Sequence, residues 1–356
     1  MTSIARLFLA FFISALTATS AAAADLLLAI NKGDQTLAII DAATLKVLGT
    51  APTGPDPHEV IASADGKLAY ITNYNAGNGS ANSLSVIDLV AMKALPPIDL
   101  GALGRPHGIT LADGKIYFTA EGAKVVARYD PATRRVDWVV GTGQDRTHMV
   151  IVSSDQKTIF TTNVSSATVS ILEQFTPARR GGGPPPGAPA PGAAARGAGG
   201  RGGAPAAADW RVTVVPVGPG AEGFDLSPDG KELWVANAQG GSVSIINVAT
   251  KAAETLTVRF RSANRLKFTP DGKYALISDL GGTEVIVMDA ATRKEVKRID
   301  VGGGAAGIQM SADGSRAFAA VGSQNGVAII DLKTLAVTGR IATGPGPDGL
   351  AWVTRN

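Results

Sequence analysis

Cysteine is absent from the 356 residues. Its absence excludes disulfides, thiolate metal ligands, a lipidated cysteine anchor and covalently attached haem c, which requires C-x-x-C-H. Histidine is scarce, with three residues, and aromatic side chains make up only 5% of the chain. Helical periodicity is missing too: nowhere do apolar residues recur at three- and four-residue spacing over a useful length. TIM-barrel and Rossmann folds, which need crossover helices between their strands, are thereby excluded. Long apolar runs are limited to Leu7–Ala18, which follows Arg6 and leads into the small residues Ala22-Ala23-Ala24. That run is too short to span a bilayer and ends in an A-x-A site. Residues 1–24 are therefore expected to be a secretory signal peptide, and the mature chain to be a periplasmic or secreted protein with no membrane span.

A net basic character is also lacking, despite the formal charge of +3. One of those positive charges is Arg6. Four more (Arg179, Arg180, Arg196 and Arg201) sit in an acid-free Gly/Pro/Ala tract at 177–208, which leaves −2 for the rest of the chain. Nucleic acid is therefore not an expected partner, since it requires a basic footprint on a folded face. The composition of the tract cannot build a core, and a disordered insertion is expected there. No P-loop, dinucleotide motif or G-x-S-x-G stands in a suitable strand–helix context.

What the chain does have is a repeat. An Asp-Gly-Lys turn recurs at Asp65, Asp113, Asp229 and Asp271, with Asp313-Gly314-Ser315 as a variant and Asp155-Gln156-Lys157 as a degraded copy. The steps between these aspartates are 48, 42, 74, 42 and 42, the long one being a repeat plus the tract. A period near 42 with four alternating β-branched segments per unit is the signature of a propeller blade. Each unit holds a short apolar strand, the Asp-Gly turn, a second strand ending on Asn or Asp, a third ending on Asp or Asn, and a fourth. Asp25–Gly54 lacks a first strand, and Pro347–Val353 is a first strand with nothing after it. Pairing the two closes the ring and hides both sheet edges. The expected fold is an all-β, seven-bladed propeller of four-stranded antiparallel blades spanning 25–356, with the insertion in blade 4.

The second-strand endings Tyr70-Ile71-Thr72-Asn73, Phe160-Thr161-Thr162-Asn163 and Trp234-Val235-Ala236-Asn237 resemble the Y-V-T-N signature of the YVTN (YncE-like) propeller repeat family. The Pro-Asp-Gly-Lys turns and Val-Ile-Asp strand ends do so as well. The resemblance implies an exported seven-bladed propeller that binds or scaffolds, and it does not specify an activity. Asn31, Asn73, Asn163, Asn237 and Asp279 belong to that signature and read as structural. Asp41, Asp88, Asp130, Asp289 and Asp331 read as caps of the following turn.

All three histidines share one register. His58, His107 and His148 each immediately precede the first strand of consecutive blades, and the equivalents elsewhere are Glu222, Asn264, Ala306 and Asp348. First strands are innermost in a propeller, so these positions should ring one mouth of the central channel. Strand parity argues otherwise for His107, which falls in step with Ile109 and Leu111 and would then pack between blades. His58, His107, His148 and Glu222 have the chemistry of a divalent-metal set, Zn²⁺ or similar. Arg105 and Arg146, two residues before a histidine, and Arg265, beside Asn264, favour an anion instead. Ten residues separate the second-strand and third-strand ends in the other blades counted, but fifteen do so in blade 2. The excess falls in a loop at Asn73–Ser83, with Tyr74, Asn75 and Glu121 nearby.

The leading expectation is therefore an exported, monomeric binding or scaffolding propeller that recognises a small anionic ligand or an envelope protein at the histidine face. The alternatives are a metal-assisted lyase or hydrolase, similar in layout to lactonase-type and streptogramin-lyase propellers, and a structural cell-envelope protein.

Overall fold

The computed structural model describes residues 24–77, 79–177 and 208–355. The expected signal peptide and most of the Gly/Pro tract lie outside the described residues. Among those described, 28 strands, β1 to β28 in chain order, form seven four-stranded antiparallel sheets, and no helix is long and apolar enough to cross a membrane. The innermost strands are β4 (Pro57–Ala62), β8 (Pro106–Ala112), β12 (Thr147–Val152), β16 (Ala221–Leu226), β20 (Ala263–Phe268), β24 (Ala305–Met310) and β28 (Pro347–Val353). Each touches the next around a closed circle, β28 meeting β4.

Closure occurs as the two ends require. The C-terminal β28 pairs antiparallel with β1 (Leu26–Asn31), followed outward by β2 (Thr36–Asp41) and β3 (Val47–Pro52). The composite blade is thus made of both ends of the chain. Seven hydrophobic clusters lie one between each pair of neighbouring blades. The alternating β-branched residues pack on both faces of every sheet, so apolar burial glues blade to blade instead of filling one central core.

The repeat's signature residues are structural fasteners. Asn73 bonds to Ser83 and Ser85, Asn163 to Thr168 and Ser170, and Asp279 accepts from the amides of Arg261, Ser262 and Gly281. The residue before that Asn or Asp clasps the neighbouring blade: Thr72, Thr162 and Ser278 donate to the carbonyls of His107, Glu222 and Ala306 at 2.7–2.8 Å. Asp41, Asp88, Asp130, Asp289 and Asp331 accept amides of the turn that follows them.

Two expectations need correction. The extra residues of blade 2 form no loop. They lengthen the hairpin of β5 (Leu68–Ala76) and β6 (Gly79–Asp88), with Asn75 opposite Ser80 and Ala76 opposite Gly79. Also, the histidines do not precede the first strands; they are the second residue within them.

Candidate functional site

Every innermost strand breaks its ladder at one place. The pairing slips between Pro57 and Val60, Pro106 and Ile109, Thr147 and Val150, Ala221 and Phe224, Ala263 and Leu266, and Ala305 and Ile308, with a matching irregularity where β28 meets β1. A bulge inserts an unpaired residue and re-aims side chains. It resets the alternation, so His107 does not share the direction of Ile109 as its parity required. All seven ring positions, His58, His107, His148, Glu222, Asn264, Ala306 and Asp348, line one cavity of about 540 Å³ at the channel mouth.

Glycine makes this convergence possible. His107 and Glu222 are followed by Gly108 and Gly223, where a Cβ would collide with the neighbouring strand's backbone at His148–Met149 and Asn264–Arg265. The inner strands thus approach more closely than any other residue allows. Glu59 and Arg265, one residue past the ring in β4 and β20, meet across the channel. Arg265 Nε lies 3.1 Å from Glu59 Oε1, and Nη2 closes a second contact to the same oxygen. Arg265 lines both the mouth and a lower channel cavity of about 280 Å³, so this ion pair forms the floor between them.

The histidines are not equivalent. His148, 1% exposed, holds Glu121 Oε1 at 2.6 Å through Nδ1 and faces Glu222 Oε1 at 2.9 Å through Nε2, the latter outside hydrogen-bonding angle. Burial opposes its charge, but the two carboxylates outweigh burial and raise its pKa. Burial likewise opposes ionisation of Glu222, yet the His148 imidazolium, with Arg265 and Arg146, holds that carboxyl at about 2. His107 stacks on His148 with ring centroids 3.6 Å apart. Burial, then the charges of His148 and His58, push its pKa well below the ordinary imidazole value, and it is neutral. His58 is lowered by burial and by Lys32, whose Nζ lies 2.8 Å from His58 Nε2. Lys32 also reaches Asp56 at 3.2 Å and Asp348 at 3.4 Å.

Behind this layer, Tyr74 donates to Glu121 Oε2 at 2.5 Å, and Arg105 donates to the Tyr74 hydroxyl. Burial and Glu121 push the Tyr74 hydroxyl up to about 12. The result is a chain, Arg105–Tyr74–Glu121–His148–Glu222, that ties the long hairpin of blade 2, through Tyr74, to blades 3, 4 and 5. Tyr74 and Arg146 line the cavity, whereas Arg105 and Glu121 stand one layer back.

Among the described residues no group of three or more His, Asp or Glu side chains is arranged to hold a metal ion. His148 is committed to two carboxylates, His58 to Lys32 and the Asp56 carbonyl, and His107 lies flat against His148. The donor set His58, His107, His148 and Glu222 does not fit a metal.

The sequence reading placed Arg265 at the mouth but did not reveal Lys32 there, nor Glu59 as the partner of Arg265. A signal was present for Lys32, because Lys32, Tyr74 and Glu121 each follow the equivalent signature position of a second strand (Asn31, Asn73 and Ala120) and form a second register around the mouth.

No protein-family model matches the chain, and no curated protein matches it in sequence. Solved structures do. A functionally unknown protein from Desulfotomaculum acetoxidans has a TM-score of 0.71 at 12% identity, over 94% of this chain and 100% of that one. A candidate 6-phosphogluconolactonase from Bacteroides fragilis has a TM-score of 0.69 at 17% identity, over 93% and 98%. Hydrazine synthase from Kuenenia stuttgartiensis has a TM-score of 0.65 at 18% identity, over 90% and 99%. At such identities the likeness is one of fold, and what it shows is a seven-bladed β-propeller whose neighbours include lactonase candidates and uncharacterised proteins.

Proposed function

We propose that this propeller is an exported binding protein that holds a small anionic ligand in the cavity at the histidine face. The observation that carries this reading is a set of buried, unsatisfied polar atoms. His107, Asn264 and Arg265 line the cavity, are 3%, 8% and 7% exposed, and leave Nδ1, Oδ1 and Nη1 without a partner. Buried polar atoms are almost always satisfied, and three orphans around one concavity suit a ligand. Lys32, Arg146, Arg265 and protonated His148 stand in the wall and are paired with Asp56, Asp348, Glu59, Glu121 and Glu222, but Arg265 Nη1 stays without a partner, and a cationic donor left over in this way favours an anion. Arg105 and Arg146 also sit at positive φ (58° and 54°), where the equivalent Gly220 and Gly346 cost nothing, so their side chains stand at positions with a backbone penalty.

Calorimetric titration of the full chain at about pH 6.5 with inorganic phosphate, citrate and gluconate tests this. At least one should bind, less tightly in high salt and less tightly as pH rises and His148 loses its proton. No binding at millimolar concentration of any of the three would overturn the reading.

A second reading, hydrolysis of a lactone, is favoured by one observation. Neutral His107 lines the cavity and has a buried, unpartnered Nδ1, a ring able to take up a proton from attacking water. Lactone turnover abolished in His107→Gln would support it, and no turnover by the wild type would dismiss it.

A further inference from the structure

We infer that the ligand is a hydroxy acid, one molecule carrying both a carboxylate and hydroxyl groups. This inference rests on the anion-binding reading and narrows it. Donors and acceptors both line the mouth. The donors are Lys32, Arg146 and Arg265; the acceptors are the carboxylates of Glu222 and Asp348 and the orphaned Oδ1 of Asn264. An anion that only accepts hydrogen bonds would satisfy Arg265 Nη1. It would leave Asn264 Oδ1 buried without a donor and press its own charge against Glu222 and Asp348. An uncharged polyol could accept from the guanidinium as well as donate to the acceptors, but it brings no negative charge and forgoes the stronger charge-assisted bond to Arg265. Each unmatched buried atom costs more than a hydrogen bond gains, so the complementary ligand is the one that brings both kinds of group.

The cavity's shape agrees with this. Its volume of about 540 Å³ accommodates a molecule of sugar-acid size, and its floor is the Glu59–Arg265 ion pair. An apolar tail directed down the channel would meet those charges before reaching Val60, Ile109, Val150 and Phe224 in the lower cavity. Asn264 is thus a specificity residue for hydroxyl groups, and Arg265, held from across the channel by Glu59, is the anchor for the carboxylate.

The test is calorimetric titration of the full chain with four probes: gluconate, hexanoate, sorbitol and inorganic phosphate. Gluconate and hexanoate share a six-carbon acid chain and differ in hydroxyls, while sorbitol has hydroxyls and no charge. Gluconate should bind about tenfold or more tighter than either hexanoate or sorbitol, the ratio expected for one or two matched buried hydrogen bonds. In Asn264→Leu the gluconate-to-hexanoate ratio should fall toward one. Equal binding of gluconate and hexanoate by the wild type would overturn the hydroxy-acid inference and leave the anion reading standing. Binding of sorbitol as tight as gluconate would overturn both. An unchanged ratio in a folded Asn264→Leu would refute the role given to that residue. The wild-type comparison needs no variant, so it decides even if Asn264→Leu does not fold.

Discussion

Replacing His148 with Gln is the most demanding test of the buried charge network. In the wild type, one imidazolium stands between Glu121 and Glu222. Glu222 titrates at about 2 in place of an ordinary 4.5. At about 1.4 kcal/mol per pH unit, that depression corresponds to about 3 kcal/mol in favour of the ionised, folded form. Removing the cation leaves two buried carboxylates with more distant arginines, and breaking such a pair costs about 3–5 kcal/mol. Both routes predict that His148→Gln loses about 3 kcal/mol in urea unfolding at about pH 6. The gap should depend on pH in a definite way. The contribution of Glu222, depressed on folding, is present above its unfolded value and fades as pH falls from about 4.5 toward 2. The contribution of His148, raised on folding, is full below its unfolded value of 6.5 and fades as pH rises through its folded value. The difference between wild type and variant is therefore largest between about pH 4.5 and 6.5, and shrinks on both sides. His58 and His107, both lowered, take up protons on unfolding below 6.5; the His58 effect cancels in the difference, whereas His107, lowered by burial in both proteins, is relieved of the His148 charge in the variant and so narrows the gap somewhat below 6.5. A gap under about 1 kcal/mol at pH 6, or one that is flat from about pH 5 to 9, would refute the network as described.

Deleting 349–356 should remove most of β28 and expose β1 along with the inner edges of β4 and β24; light scattering and a broadened thermal transition would report it, and a melt unchanged from the full chain would count against ring closure. Gly108→Ala should destabilise by about 2 kcal/mol or more in urea titration, because the added methyl meets the backbone of His148 and Met149; a neutral result would show that blades 3 and 4 can part without cost.

The sequence by itself determined the architecture. A 42-residue period, turn aspartates and alternating β-branched strands were enough for seven blades, and the complementary ends dictated the composite blade, because local propensity and strand pairing repeat with the chain. It also determined that His58, His107, His148, Glu222, Asn264, Ala306 and Asp348 share a ring, because equivalent positions in a propeller lie at one radius and height. Only the tertiary structure decided what that ring can do. The bulge that turns His107 into the mouth leaves no mark on an alternating pattern. The Glu59–Arg265 pair joins residues 206 apart, brought together across the channel by the diameter of the closed ring and not by any spacing along the chain. The long hairpin and Glu121 were legible as neighbours, but their hydrogen bonds to Arg105 and His148 depend on side-chain directions that the backbone register leaves open. Whether three histidines act as ligands, as bases or as one ion pair is set by which carboxylates stand within 3 Å of them. Here that proximity commits His148 to Glu121 and Glu222 and leaves His107 neutral.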